Sequence, residues 1–203
     1  MRPILLALLI LGACSSTSSR SPSSADQPAP TGSDTDAAQT TLETGLGDLR
    51  VAIQQQQDPQ LWSEVLGNGE GAREVIDSAL EQGADARTCE AGLVTADALA
   101  TWHTLYLDSL DINASDLVAA LKDETLAMRL DELTASLDGV LGRVPETSLL
   151  LTDIHFQSGN PEAGAAVLGA GLDQWPGDDD LHESARAWRD ATPAPDALIA
   201  VLD

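Results

Sequence analysis

Three histidines are the side chains best suited to acid–base or metal chemistry in this chain of 203 residues. His103, His155 and His182 each fall on a separate predicted helix, so the sequence does not gather them as metal ligands. The acidic run 178–180 offers the carboxylate oxygens that Ca²⁺ prefers. Carboxylates also favour the positive start of a helix, and we prefer that interpretation. We therefore expect no metal site and no cofactor.

Motifs for catalysis are also missing from the sequence. It has no Gly-x-Ser-x-Gly turn, no His-Glu-x-x-His pair and no phosphate-binding Gly-Lys loop. His103 lies beside Trp102 and could be catalytic, but a histidine at the edge of a helical core is the more common arrangement. We expect that the protein is not an enzyme.

The amino-terminal residues have the pattern of a short secretory leader. Arg2 gives it a positive start, residues 4–11 are apolar, and Gly12-Ala13 are small residues suited to cleavage by a peptidase. The apolar stretch is too short to cross a bilayer, which takes about 20 apolar residues. We predict that residues 1–13 are a signal peptide.

A cysteine follows this leader directly. The sequence Leu11-Gly12-Ala13-Cys14 resembles the lipobox of bacterial lipoproteins. The resemblance implies that the Cys14 thiol carries a diacylglycerol, that the leader is removed, and that the new amino terminus is acylated. It also implies a lipid anchor in the bacterial cell envelope, and Ser15, by analogy with enterobacterial sorting, favours the outer membrane facing the periplasm. The alternative is an ordinary signal peptide with an incidental cysteine.

The second cysteine is Cys89, and it cannot form an intrachain disulfide once Cys14 carries lipid. A reactive or partner-linking thiol is one interpretation. A buried structural cysteine is the one we favour, because Glu90 beside it works against a thiolate.

The chain is strongly acidic, with a formal net charge of −23. This charge argues against nucleic acid as a partner, because proteins bind phosphates largely through Lys and Arg. The acidity could steer a basic partner or bind cations weakly. We favour the simpler interpretation that it keeps the protein soluble.

Composition divides the mature chain into a linker and a helical domain. Residues 14–41 start with the predicted lipidation site, Cys14, and continue with a linker that is rich in Ser, Thr, Pro and Ala and has no branched aliphatic residue, which predicts a disordered tether. From residue 42 to 203 apolar residues recur at helical spacing, and no stretch alternates as a strand does. We therefore predict an all-α domain. The expected helices are 42–57, a short one to about 66, 72–83, 88–110, 117–140, 146–158, 161–174 and one from 178, with a turn at 67–69.

One predicted hairpin carries a pattern of landmarks at characteristic spacing. These are Gly159, Gly164, Leu168, Gly171 and Pro176, and their spacing resembles that of the tetratricopeptide repeat. The resemblance implies a glycine turn, two small residues where paired helices touch, a large apolar residue between them and a closing proline. It implies a degenerate stack of antiparallel helical hairpins.

The match to the repeat departs from the family pattern at two places. His155 stands where the family has an aromatic residue, and Thr152 stands at its early glycine. A fainter match starts at Gly67.

Together these features predict an envelope lipoprotein whose helical domain serves as a docking or assembly scaffold for another envelope protein in the periplasm. The alternative is a small-molecule or cation-binding, or even hydrolytic, lipoprotein. Its site would lie between hairpins around Trp102, His103 and His155.

Overall fold

The computed structural model describes residues 32–56, 58–112 and 114–191. Within these residues the chain is helical and has no strand, which confirms the all-α prediction. No helix in this part of the chain combines the length and apolarity needed to cross a membrane. The helices are α1 (Gly32–Gln55), α2 (Trp62–Glu81), α3 (Ala86–Asp111), α4 (Leu117–Ala120), α5 (Glu124–Asp138), α6 (Pro145–Gln157), α7 (Pro161–Gln174) and α8 (Asp179–Ala191), with a 3₁₀ turn at Pro59–Leu61.

The first helix begins earlier than the sequence predicted. α1 starts at Gly32, so residues 32–41 of the predicted linker are helical. Ala38 and Leu42 are four residues apart and both fully buried, so they lie on the same face of the helix. Ala38 therefore packs the first turns of α1 against the core, although the residues around it are polar. The other residues of the predicted linker and the signal peptide lie outside the described residues.

The predicted turn at residues 67–69 is wrong, because α2 runs through it without a break. Gly69 packs against α3, and a Cβ atom built there would lie 3.4 Å from Leu99 Cδ2. Gly69 therefore does not end a helix; it allows α2 and α3 to pack closely. The faint repeat match that starts at Gly67 therefore begins inside a helix.

The predicted helix 117–140 is two helices, α4 and α5. Asp123 ends the continuity because its carboxylate accepts hydrogen bonds from the backbone N–H groups of Thr125 (3.0 Å) and Leu126 (3.2 Å), which is a helix N-cap. The apolar face of α5 packs on α3 within the same chain, as the sequence favoured, and Arg129 pairs with Asp108 across the contact.

Helices α1, α2 and α3 form the first layer as an antiparallel array. Ile76 on α2 fills the space where α1 and α3 both present glycine. A Cβ on Gly45 would lie 2.7 Å from Ile76 Cγ1, and one on Gly92 would lie 3.0 Å from Ile76 Cδ1. These two glycines therefore set how closely the three helices pack.

Helix α6 is the centre of the molecule. It runs parallel to α1 and α3 and is covered by α5, α7 and α8 as well. Leu150, Leu151 and Ile154 are fully buried, and its polar residues Glu146 and Asp153 are almost fully buried too. Buried carboxylates require partners, so polar side chains from neighbouring helices converge on α6.

Candidate functional site

The lipobox residues lie outside the part of the chain that the structure describes. This applies to Leu11, Gly12, Ala13 and Cys14. Cys89 is a free thiol with no exposed surface. Burial, followed by the nearby Asp85 carboxylate, raises its pKa, so the thiol stays protonated at neutral pH.

The landmark residues of the α6–α7 hairpin lie at or near its turn and its helix contact. Gly159 has φ +81°, a value that suits glycine, at the turn. A Cβ on Gly164 would lie 2.9 Å from the Phe156 ring, and one on Gly171 would lie 3.2 Å from Ser148 Cβ. Leu168, between the two glycines, is fully buried, and Pro176 follows the end of α7. These side chains hold two helices together and carry no reactive group.

The three histidines occupy separate environments. His182 Nε2 lies 3.0 Å from the carbonyl oxygen of Pro176, six residues earlier in the chain. His155 is half-buried on α6, and burial lowers its pKa, with Asp138 opposing the effect. His103 is buried on α3. The structure therefore brings Trp102 and His103 to one pocket without His155, in contrast to the predicted ligand site.

The pocket around His103 is lined mainly by aromatic rings, and we call it the aromatic pocket. His103 meets the Trp62 ring edge to face, with centroids 4.8 Å apart. Tyr106 meets the same Trp62 ring at 4.6 Å. The cavity holds about 20 Å³, and it is lined by the rings of Trp62, Trp102, His103 and Tyr106 and by Gln56, Val65, Leu99 and Gln157. Its volume is enough for one water-sized group.

Two polar atoms at the aromatic pocket lack a partner among the described residues. They are Gln56 Oε1 and His103 Nε2, on residues that are 8% and 9% exposed. The Gln56 amide orientation is fixed, because its Nε2 donates to Asp153 Oδ2 at 3.0 Å. Burial lowers the pKa of His103, so the imidazole is neutral at pH 7. Unpaired buried polar atoms are rare in proteins and need an explanation.

Towards the amino-terminal end of α6, Arg50 joins three helices through carboxylates. Its guanidinium lies 2.6 Å from Glu146 Oε1 on α6, 3.0 Å from Asp178 Oδ2 and 2.9 Å from Asp180 Oδ2 at the start of α8. Asp178 also caps α8, accepting from the N–H groups of Asp180 and Leu181 at 3.1 Å. The run 178–180 thus starts a helix, as the sequence predicted.

In this cluster the pKa values of both Arg50 and Glu146 are raised, but for different reasons. Burial tends to lower the pKa of Arg50, but Glu146 and the two aspartates outweigh it and hold the guanidinium charged. For Glu146, burial raises the pKa and the attraction of Arg50 does not fully compensate. Glu146 Oε2 has no partner among the described residues, which agrees with incomplete compensation. We infer that Glu146 is held at a net desolvation cost.

A cleft of about 220 Å³ opens beside this cluster, between α1, α6 and α8. It is acidic, with Asp153, Asp180 and Glu183 on its walls together with the Ser184 hydroxyl. Across the described residues, however, no group of three or more His, Cys, Asp or Glu side chains has the arrangement of a metal site. Two of these carboxylates accept hydrogen bonds from neighbouring side chains: Asp180 from Gln54 at 2.8 Å and Asp153 from Trp188 at 2.9 Å.

Two shallow grooves run along either side of α3. The α2–α3 groove holds about 330 Å³, and its floor is formed by small or apolar residues, among them Gly69, Ala96 and Ala100. The α3–α5 groove holds about 420 Å³. Asp97 lines both grooves. Leu66, at the edge of the first groove, leaves 37% of its surface exposed. Grooves of this kind suit the side chains of a docked segment.

The fold and these features define an all-α protein with surface grooves and a small aromatic pocket. Compared with protein-family models, curated proteins and solved structures, the chain matches none.

Proposed function

We propose that this chain is a lipid-anchored envelope protein whose helical domain docks another envelope protein and serves as an assembly scaffold. The anchor is Cys14, at the end of the leader-like residues 1–13. Each buried lipid methylene contributes about 0.8 kcal/mol, so the several acyl chains of a bacterial lipoprotein hold firmly. The location we propose is the outer membrane, facing the periplasm.

The pair of grooves on either side of α3 is the observation that carries the docking proposal. Together they offer apolar floors and charged rims on one continuous face, with Leu66 and Thr101 exposed along it. Stacked helices with such a face are suited to holding a peptide or a partner helix. The net charge of −23 favours a basic partner.

The helical domain would lie close to the membrane. Because α1 begins at Gly32, residues 15–31 are all that separate Cys14 from it. A stretch of this length reaches at most about 60 Å when fully extended. The partner we propose is therefore a protein of the same membrane or of the adjacent periplasm.

The lipid anchor is tested by metabolic labelling with a clickable palmitate analogue. We expect label on the wild-type chain and none on Cys14→Ser. Cys89→Ser is the matched control, because it removes the only other cysteine and should keep the label. Label that persists on Cys14→Ser would refute the anchor.

The docking face is tested by photo-crosslinking in intact cells. A crosslinking amino acid at Leu66 or Thr101 should trap one dominant envelope protein, whereas the same residue at Asp190, exposed on α8, should not. Equal products from the grooves and from α8 would refute docking at this face.

A second candidate function is binding of a small ligand, and the aromatic pocket favours it. Its walls are formed in part by the rings of Trp62, His103 and Tyr106, which a small ligand would contact. A thermal-shift screen with metal ions and envelope metabolites tests this function. A saturable shift that is lost on His103→Ala would support it, and no shift from any compound would count against it.

A further inference from the structure

The α2–α3 groove is the more apolar of the two grooves beside α3. Its lining is mostly small and aliphatic: Val65, Leu66, Gly69, Ala96, Leu99 and Ala100. More than half of the residues that line the α3–α5 groove are polar. An apolar cavity of about 150 Å³ accepts a benzene-sized group, so the α2–α3 groove, at about 330 Å³, has room for about two leucine-sized side chains.

The walls of the α2–α3 groove favour a helix as its occupant. Both walls are middle turns of α-helices, whose backbone N–H and C=O groups are hydrogen-bonded within each helix. An extended segment would find no backbone partners there, whereas a helix satisfies its own backbone. On α2 the groove runs from Val65 to Arg73, which is about 12 Å of helix axis. Two apolar side chains four residues apart on a docked helix, about 6 Å along its axis, fit this length.

One uncompensated charge stands at the rim of this groove. Arg73 is the cation among the lining residues, and it donates to Asp97 of α3 at 2.7 Å. Glu70, one turn earlier on α2, also lines the groove and is exposed. Among the described residues, Glu70 makes no ion pair and no side-chain hydrogen bond. Because Arg73 and Asp97 neutralise each other, the carboxylate of Glu70 is the charge that an incoming segment would meet.

This charge argues against the two occupants that the chain itself could supply. A second copy would bring a net charge of −23 to a rim whose free charge is negative, so it is repelled. The carboxy-terminal residues 192–203 contain the apolar run 197–202, but Asp196 and Asp203 are their only charged side chains. This segment therefore has no cation to offer Glu70. A separate basic protein fits the groove better than either.

We propose that the α2–α3 groove binds one amphipathic helix of the docked protein. The helix places two large apolar side chains four residues apart on the groove floor and a lysine or arginine beside Glu70. This inference rests on the proposed docking function and names the element of the partner that docks. Burial of the apolar side chains supplies most of the affinity, and the contact with Glu70 selects a basic helix over an acidic one.

The first test identifies the partner segment that lies in the groove. A photo-crosslinking amino acid replaces Leu66, at the edge of the groove, in the full-length chain in intact cells, and the crosslinked peptide is sequenced by mass spectrometry. We expect a segment with two large apolar residues three or four positions apart and a lysine or arginine within the next turn. A trapped segment without that apolar spacing, or without a cation, would refute the inference and leave docking standing.

The second test measures how that segment, as a synthetic peptide, binds the full-length chain in detergent, by calorimetry. Glu70→Gln should weaken binding about two- to fivefold, the range of an exposed ion pair. Glu70→Lys should weaken it at least about tenfold, because like charges would then face each other. A peptide whose cation is replaced by norleucine should bind wild type and Glu70→Gln equally, which assigns the effect to this pair. A norleucine peptide that still distinguishes the two would refute the contact.

Glu132→Lys is the matched control for charge. Glu132 is an exposed glutamate that lines the α3–α5 groove, and it lies three residues after Arg129, which pairs with Asp108 of α3. The variant changes the net charge by the same amount as Glu70→Lys, but it should change binding less than about twofold. Equal weakening by both variants would mean that only the overall charge matters, which would refute the assigned contact.

Ala100→Trp tests the groove independently of charge. Ala100 is exposed and lines the α2–α3 groove, so an indole there fills the groove without entering the core. Ala135, exposed on α5, lines neither groove, and Ala135→Trp is the control. We expect the peptide to lose binding to the first variant and keep binding to the second. Binding that survives Ala100→Trp would refute the groove as the site of the helix. If Leu66 and Thr101 trap no protein at all, the docking function fails and this inference fails with it.

Discussion

Glycines in α1 illustrate how the same residue type has opposite roles two positions apart. Gly45 is buried where Ile76 crosses the helix, and Gly47 is exposed with no described atom within 4 Å of a Cβ built on it. The first is required by packing. The second only adds conformational freedom to the unfolded chain.

Replacing each of these glycines by alanine should therefore change stability in opposite directions. Gly47→Ala should raise the free energy of unfolding by about 0.5–1 kcal/mol through helix propensity. Gly45→Ala should lower it by about 1–3 kcal/mol, because its Cβ would lie 2.7 Å from Ile76 Cγ1. Reversible denaturation in urea measures both. Changes of the same sign and size would show that the α1–α2 contact adapts freely.

At the level of the helices, the guanidinium of Arg50 joins α1, α6 and α8 in addition to their apolar packing. Arg50 on α1 binds Glu146 on α6 and the two aspartates that start α8. Glu146 is only 3% exposed, and burial raises its pKa. Its charge is therefore a cost that Arg50 offsets.

This arrangement predicts a pH-dependent difference between the wild-type chain and Glu146→Gln. A raised pKa in the folded state means that the wild-type carboxyl contributes stability at low pH and loses it as pH rises through that pKa. As pH falls from 7 to the ordinary value of 4.5, the wild-type chain should gain stability relative to Glu146→Gln. Urea denaturation across this range measures the difference.

Arg50→Met is the complementary variant at this junction. It should cost about 3 kcal/mol at pH 7, because Glu146 is left buried and charged, and the cost should shrink as Glu146 is protonated. A stability difference between wild type and Glu146→Gln that does not change with pH would contradict the assigned shift.

Some of these elements could be predicted from the sequence because their signals are local. Asn160-Pro161 marks the start of α7, and Asn160 Oδ1 does accept from the Ala163 N–H at 3.4 Å. The start of α1 was missed because Ala38, a small residue in a polar stretch, is a core residue there. The break at Asp123 was missed because the leucine spacing continues across it.

The site was only partly predictable, because periodicity gives the face of a helix and not its neighbours. Trp102 and His103 were expected near His155. The structure instead brings Gln56 and Trp62 to them from either side of the α1–α2 connection. Likewise Arg50 meets Glu146 and Asp180 across sequence separations of 96 and 130 residues. No local pattern contains such a contact.

For the whole molecule, the dominant physical property is the net charge of −23. Repulsion among the carboxylates destabilises the compact state. Salt screens it, since the Debye length falls from about 30 Å at 0.01 M to about 8 Å at 0.15 M. We expect that the protein is more stable in salt than without it.

Thermal unfolding in increasing NaCl tests this expectation. The melting temperature should rise, by about 2–4 °C for each kcal/mol of repulsion removed. Tetramethylammonium chloride should have the same effect as NaCl, because screening depends on ionic strength and not on the cation. A melting temperature that falls with salt would mean that ion pairs such as those of Arg50 outweigh the repulsion.

The same charge and the anchor define the role that we propose for the molecule. In this proposal the acidic domain would attract a basic partner over several ångströms, and the lipid anchor would hold this chain at the membrane. The grooves beside α3 then provide the contact surface.

The most direct test is crosslinking in intact cells followed by affinity purification and mass spectrometry, comparing the wild-type chain with Cys14→Ser. We predict one dominant envelope protein with the wild-type chain, and its loss or strong reduction when the anchor is removed. Recovery of no reproducible partner, or of the same partner at the same level from Cys14→Ser, would contradict an anchored docking protein.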